Sequence, residues 1–312
     1  MQDSTTPIPW LTSPEEGFVT STTRRWIFFA DDHGTVRQGT AATKALDITV
    51  GDRIHFQKSA EQFLIDDYQE RKNCLYRQVG KKRKLLSANL DLVCIVTAVG
   101  KLFQPIFVDR VLCIATHEEI RPVIVVNKID LEIDDETSEL ITVYQDLGIE
   151  VLLTSTREEG GLAPVYDLLQ SAPYQVVSLV GVSGVGKSSL LNELVPQASR
   201  WTREVSEKSG LGRQTTTQAE AFHYHDALGT NLFLVDLPGI QQFGISQFSI
   251  RDVQHGMPDI EALGAACEYA DCQHIAEPHC AVKAGVESGL LAITRFQSYL
   301  GMLEEIDRSK EY

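Results

Sequence analysis

One run of eight residues, Gly181-Val182-Ser183-Gly184-Val185-Gly186-Lys187-Ser188, constrains this chain more than any other feature. It follows a short strand-like stretch, Val176–Val180, and precedes Ser189-Leu190-Leu191-Asn192-Glu193-Leu194, which suits a helix. In that context Gly181 and Gly186 permit backbone angles and close approaches that a side chain would block. Successive amides from Gly184 to Ser188 can then turn inward at the helix N-terminus and cradle phosphate oxygens. Lys187 would neutralise the β- and γ-phosphates, and the Ser188 hydroxyl would bind Mg²⁺. Residues 181–189 are therefore read as a nucleotide-binding loop, Val182, Ser183, Val185 and Ser189 included.

Such a loop requires a parallel sheet covered by helices, and the middle of the chain has that texture. Apolar, β-branched runs recur at Leu92–Val99, Pro122–Val126, Val151–Leu153, Val176–Val180 and Leu232–Val235. The stretches between most of them can hold amphipathic helices, as in an α/β sheet buried on both faces. Two more of these runs end in polar residues suited to the same site. Asp236-Leu237-Pro238-Gly239 lies about 48 residues after Ser188. Its aspartate suits Mg²⁺, directly or through water, and the Gly239 amide suits a γ-phosphate. Asn127-Lys128-Ile129-Asp130 follows Pro122–Val126. The Asp130 carboxylate can accept from both N1–H and the N2 amine of guanine, a donor pair that adenine lacks. Asn127 would hold the loop and touch N7, the Lys128 stem would lie along the base, and Ser155 would approach O6. The base-reading residues thus precede the phosphate loop by nearly sixty positions, the reverse of the ordinary order in GTPases. A site built by neighbouring strands survives such a circular permutation.

Between these elements, Gly210-Leu211-Gly212-Arg213-Gln214-Thr215-Thr216-Thr217 has the character of a loop whose threonine closes on Mg²⁺ when triphosphate is present. Thr215 and Thr216 are both candidates. Downstream, Cys267, Cys272, His274 and Cys280 supply three thiolates and an imidazole within fourteen residues, a set that suits structural, tetrahedral zinc. His279 competes with His274 for the imidazole position. Beyond the cysteines, Val286, Leu290, Ile293, Phe296 and Leu300 recur at helical steps, predicting one long amphipathic helix weakened at Gly289.

Before the sheet, residues 1 to about 85 read as short strands separated by turns such as Asp31-Asp32-His33-Gly34 and Gly51-Asp52, enough for a small β-barrel. The net charge of −15 is unevenly spread: residues 1–90 carry thirteen basic and eleven acidic side chains, and the remainder carries a net −17. Arg71, Lys72, Arg77, Lys81, Lys82, Arg83 and Lys84 form the one strong basic focus, where nucleic acid could be held. No run is long enough to span a bilayer, no leader is read at the N-terminus, and six cysteines in so long a chain do not read as a disulfide framework. A cytoplasmic protein is expected. The organisation expected is a barrel over 1–87, a permuted nucleotide-binding α/β domain over 88–245, and a zinc-binding and helical domain over 246–312.

With these residues assembled, the chain resembles the circularly permuted, small-ribosomal-subunit-dependent GTPases of bacteria, the RsgA or YjeQ group. The resemblance rests on Asn127–Asp130 upstream of Gly181–Ser189, on Gly212–Thr217, on Asp236–Gly239, and on Cys267 to Val282 with Glu277-Pro278. It implies an oligonucleotide-binding (OB) barrel, a central GTPase and a zinc domain. It also implies a role in late maturation of the 30S subunit, with rRNA as partner and hydrolysis stimulated by that particle. A monomer exchanging GTP and GDP is expected. Two positions depart from the family pattern: Gln214 stands where the family usually has histidine, and Leu237 where it usually has threonine. The position after Asp236-Leu237-Pro238-Gly239, where many GTPases carry a water-orienting glutamine, is Ile240, so intrinsic hydrolysis is expected to be slow. Gln214 is the leading candidate within the chain for orienting water, with Gln241 another. An RNA-binding scaffold with negligible turnover is the alternative reading, and a metabolic phosphate-loop kinase a third, disfavoured by Asn127–Asp130.

Overall fold

The structure is a computed structural model that describes residues 6–59, 62–79, 82–196, 198, 219–237, 245 and 247–310. The N-terminal strands β1 (Glu16–Thr22), β2 (Ile27–Asp31), β3 (Val36–Ala41), β4 (Arg53–Ser59) and β5 (Gln62–Tyr68) pair in the order β1-β2-β3-β5-β4, and β4 returns to β1. The β3–β5 pair is parallel and the others are antiparallel, which closes an OB-type barrel. Alternating residues fill it: Val19, Ile27, Phe29, Ile54, Phe56 and Ile65 are buried together, with the Phe29 and Phe56 rings 4.6 Å apart. A hairpin, β6 (Cys74–Val79) and β7 (Lys82–Ala88), carries much of the basic focus.

The basic residues nearest the barrel are engaged internally. Arg71 makes a forked pair with the buried Asp52, at 2.6 and 2.8 Å, and lies over the Tyr68 ring; Lys72 pairs with Asp91. Two asparagines join the barrel to the next segment. Asn73 exchanges both hydrogen bonds with the Leu90 backbone, and Asn89 donates to the Gly51 carbonyl. Gly51 has φ +95°, and a Cβ there would lie 2.1 Å from the Ala88 carbonyl oxygen, so this junction requires glycine.

The second layer system follows the apolar runs. Strands β8 (Leu92–Ala98), β9 (Arg121–Asn127), β10 (Glu150–Leu153), β11 (Val176–Val180) and β13 (Asn231–Asp236) form a parallel sheet in the order β10-β9-β8-β11-β13. Helices α1 (Pro105–His117), α2 (Asp135–Asp146), α3 (Ala163–Gln170) and α4 (Lys187–Leu194) connect it. Two separate clusters of buried side chains cover its faces, one with α1 and the other with α3 and α4. Strand β12 (Glu220–His225) runs antiparallel to β13 and also pairs with β1 at Ser21↔Glu220, so barrel and sheet are continuous.

After Asp236 no strand follows among the described residues. Helices α5 (Ile250–His255), α6 (Pro258–Gly264), α7 (Ala281–Glu287) and α8 (Ile293–Lys310) pack on α1 and on one another. Here the sequence expectation is corrected. The single long helix is two, broken at Gly289, where φ is +77°. Leu290 is 78% exposed and Ile293 53%. The face of α8 that is buried instead carries Tyr299, Met302, Leu303 and Ile306. A left-handed glycine ends α7, and the apolar period restarts out of phase.

Candidate functional site

Among the described residues, register places Asn127, Asp236 and the start of the 181–188 loop at one end of the sheet. Leu179 lies beside Asp236, Ala98 beside Asn127, and Leu153 beside Val126, so the carboxyl ends of all five parallel strands face the same way. That edge is where an open α/β sheet builds its ligand crevice.

The turn after β11 has the required backbone. Gly184 and Gly186 have φ of +88° and +96°, and α4 begins at Lys187. A Cβ on Gly181 would sit 2.4 Å from the Val96 carbonyl oxygen, and one on Gly186 would sit 2.2 Å from Asn127 Nδ2. The loop is thus pressed against the neighbouring β8 and against the end of β9 beyond it. Val185 is buried under it, while Ser183, Ser188 and Ser189 are exposed and Val182 partly so. Lys187 Nζ reaches across to pair with Asp236. Ammonium and carboxylate stand at adjacent strand ends, where phosphate oxygens and a divalent cation would compete for them.

The Asn127–Asp130 loop is tied to this turn. Asn127 is fully buried, and its Nδ2 donates to the Val185 carbonyl at 2.9 Å. Lys128 takes a left-handed conformation, φ +67°, a local strain that a surrounding hydrogen-bond frame must hold. That frame includes Ile129 N to the Thr154 carbonyl at 3.2 Å. Ser155 Oγ donates to Asp130 Oδ1 at 2.8 Å, so its hydroxyl orients the carboxylate. Sequence reasoning missed Arg157, whose guanidinium lies 3.6 Å from Asp130 Oδ2; its place two residues after Ser155 was the available signal. It also missed Glu220, which faces Asp236 across the β12–β13 pair and whose carboxyl is pushed up to about 6, first by burial and then by the charge of Asp236. Gln214, Thr215, Thr216, Gly239, Ile240 and Gln241 lie outside the described residues.

The second assembly is the cysteine cluster. Cys267, Cys272, His274 and Cys280 converge so that their ligand atoms all lie within 4.8 Å of one another. His274 Nδ1 is 3.6 Å from Cys267 Sγ and 3.4 Å from Cys280 Sγ, and the two sulfurs are 3.9 Å apart. Tetrahedral zinc with Zn–S bonds of about 2.3 Å and Zn–N bonds of about 2.0 Å requires separations of about 3.8 Å and 3.5 Å, so the donor set fits that ion. His279 is exposed and outside the cluster, which decides between the two histidines. The Glu277 carboxylate accepts from the amides of Gln273, Ile275 and Ala276 and shapes the loop between the ligands.

Comparison with known proteins gives a consistent result. A family profile described as RsgA GTPase matches residues 68–246. The chain is 34% identical over 257 residues to the small ribosomal subunit biogenesis GTPase RsgA of Borreliella burgdorferi, covering 81% of each. It is 34% identical over 284 residues to the protein of the same name from Burkholderia mallei, covering 90% of this chain and 89% of the other. Among solved structures, YjeQ from Thermotoga maritima superposes with a TM-score of 0.71 at 28% identity, over 94% of this chain and 98% of that one. YloQ, described as a circularly permuted GTPase, shares the fold with a TM-score of 0.67 at 24% identity, over 96% and 98%.

Proposed function

From the premise that this chain belongs to the RsgA GTPase family, we propose that it hydrolyses GTP as an assembly factor in late maturation of the small ribosomal subunit. The carrying observation is that the base-reading and phosphate segments, permuted in sequence, meet at one sheet edge, with Asn127 bonded to Val185 and Lys187 to Asp236. The scaffold reading with negligible turnover is not favoured, because the relatives are named as GTPases.

In this mechanism Asp130, oriented by Ser155, selects guanine. Asn127 holds the base loop against the phosphate loop, and the Lys128 stem covers the base. The amides from Gly184 to Ser188 wrap the phosphates, and Lys187 exchanges Asp236 for phosphate oxygens. Ser188 and Asp236, with Thr215 or Thr216, would hold Mg²⁺, which offsets charge on the phosphates. Gln214 is the proposed group for orienting water, and Gly239 for sensing the γ-phosphate. With Ile240 where many GTPases have glutamine, the particle supplies most of the acceleration, a helper effect of about 10³–10⁵. One structural zinc at Cys267, Cys272, His274 and Cys280 would hold the C-terminal segment together. We place the domain boundaries near 87/88 and 245/246. The protein is read as a cytoplasmic monomer that grips rRNA through the barrel, the basic hairpin and the zinc segment in the GTP state.

The decisive assay is phosphate release from GTP with and without purified small subunits, in wild type and Ser188→Ala. Stimulation in the wild type and its loss in the variant are expected. Equal rates with and without the particle would overturn the reading.

A further inference from the structure

Among the described residues, the largest fully buried side chain is a charged one, Arg295, 2% exposed on α8. Its guanidinium forks onto Asp259 of α6, at 2.8 and 2.7 Å, and its remaining arm donates to Asp109 of α1 at 2.6 Å. Asp109 Oδ1 also accepts from the hydroxyl of Tyr144, on α2, at 2.8 Å. Asp109 and Tyr144 are both buried. Burying a charge triad is costly, and removing one member is costlier, so its members hold one relative geometry.

Each end of this network leads to a site. Helix α2 begins five residues after Asp130, and Thr137 in its first turn accepts from the Gly100 amide at 3.0 Å, beside the end of β8. Tyr144 is therefore on the helix that carries the base-reading loop. At the other end, Tyr299 lies one turn beyond Arg295 on the same face of α8, and its hydroxyl donates to the Gln273 carbonyl at 3.0 Å. Gln254 of α5 donates to the Cys272 carbonyl at 3.0 Å and contacts Tyr299 Oη at 3.2 Å. Helix α6 closes on the same cluster: a Cβ on Gly264 would meet His274 Nε2 at 3.2 Å. A continuous run of hydrogen bonds and helix thus joins the backbone of the cysteine cluster to the helix of the guanine loop.

We propose that Arg295, through Asp109 and Tyr144, is a positioning residue that makes retention of metal at the cysteine cluster and binding of guanine nucleotide mutually reinforcing. This rests on the guanine reading of Asn127–Asp130. Reciprocity follows from linkage: whatever metal does for nucleotide affinity, nucleotide does for metal affinity. The coupling passes through α8 and α2 and needs no contact between the ligands.

The test measures zinc affinity of the holoprotein by competition with a chromogenic chelator, with no nucleotide, saturating GDP, or ADP as control. Tyr144→Phe removes only the hydroxyl to Asp109 and keeps the ring packed, so it serves if Arg295→Met does not fold. In the wild type GDP is expected to tighten zinc retention about fivefold, within the usual range of coupling between sites, and ADP to leave it unchanged. In Tyr144→Phe the GDP effect is expected to fall below about twofold while zinc still binds. An equal GDP effect in the variant, or none in the wild type, overturns the proposal. Calorimetry on the same samples separates the two layers. If GDP and ADP bind wild type equally, the guanine reading itself fails and the proposal with it; if GDP is preferred but zinc affinity is indifferent to it, only the coupling fails.

Discussion

Replacing Gly186 with alanine probes the point where the two halves of the nucleotide site touch. At φ +96° and ψ +14°, an alanine carries the left-handed penalty of about 1–2 kcal/mol. Its Cβ would also lie 2.2 Å from Asn127 Nδ2, the atom that donates to the Val185 carbonyl. Asn127 is fully buried, so displacing it leaves an unpaired amide and carbonyl, worth about 1–3 kcal/mol. Together these amount to about 2–5 kcal/mol against the ordered loop, or roughly 30-fold to several thousand-fold in GDP affinity. Calorimetric GDP titration reads this directly, with thermal unfolding to show that the sheet remains folded. Because the clash is with Asn127 itself, Gly186→Ala combined with Asn127→Ala should cost less than the sum of the two, a non-additivity expected of touching residues. Gly186→Ala binding GDP within about threefold of wild type would show that this contact does not hold the loop, as would strict additivity.

Other expectations follow from the same geometry. Glu220, raised to about 6 from its ordinary 4.5, favours the neutral carboxyl in the folded state, so its stabilising contribution is complete below pH 4.5 and is lost as pH rises through 6. In nucleotide-free protein Glu220→Gln should therefore gain on wild type by about 1 kcal/mol between pH 5 and pH 8 in urea unfolding. On the C-terminal helices, Met302→Ala should cost about 2–5 kcal/mol and Leu290→Ser less than about 0.5 kcal/mol, since the first is buried and the second exposed. Chelation should release one zinc per chain and lower the melting temperature; purified protein free of metal, or unaffected by its removal, would contradict the tetrahedral site. Affinity for small subunits should fall steeply with salt if the basic hairpin contacts rRNA, and a flat response would exclude that contact.

The candidate nucleotide site was legible because the chemistry proposed for it demands fixed residues at fixed steps. Glycines, lysine and serine at 181–188 and the polar ends of β9 and β13 announce themselves without neighbours. Strands β8, β9, β11 and β13 were legible because both faces are covered, which makes each a plain apolar run. Strand β12, with His223 and His225 among its residues, gave no such run. The break at Gly289 was misread because apolar residues at helical steps continue past it, and only the fold shows that Leu290 meets solvent. Arg71 and Arg295 illustrate what sequence cannot convey. Both look like surface cations, and their partners Asp52, Asp109 and Asp259 lie between 19 and 186 residues away.

In the proposed function, residues remote along the chain form one pocket that selects guanine. Competition of GDP and ADP for wild type and Asp130→Asn tests it most directly. Strong preference for GDP is expected in the wild type, and its collapse in the variant. Equal binding of both nucleotides by wild type, or an undiminished preference in Asp130→Asn, would contradict it.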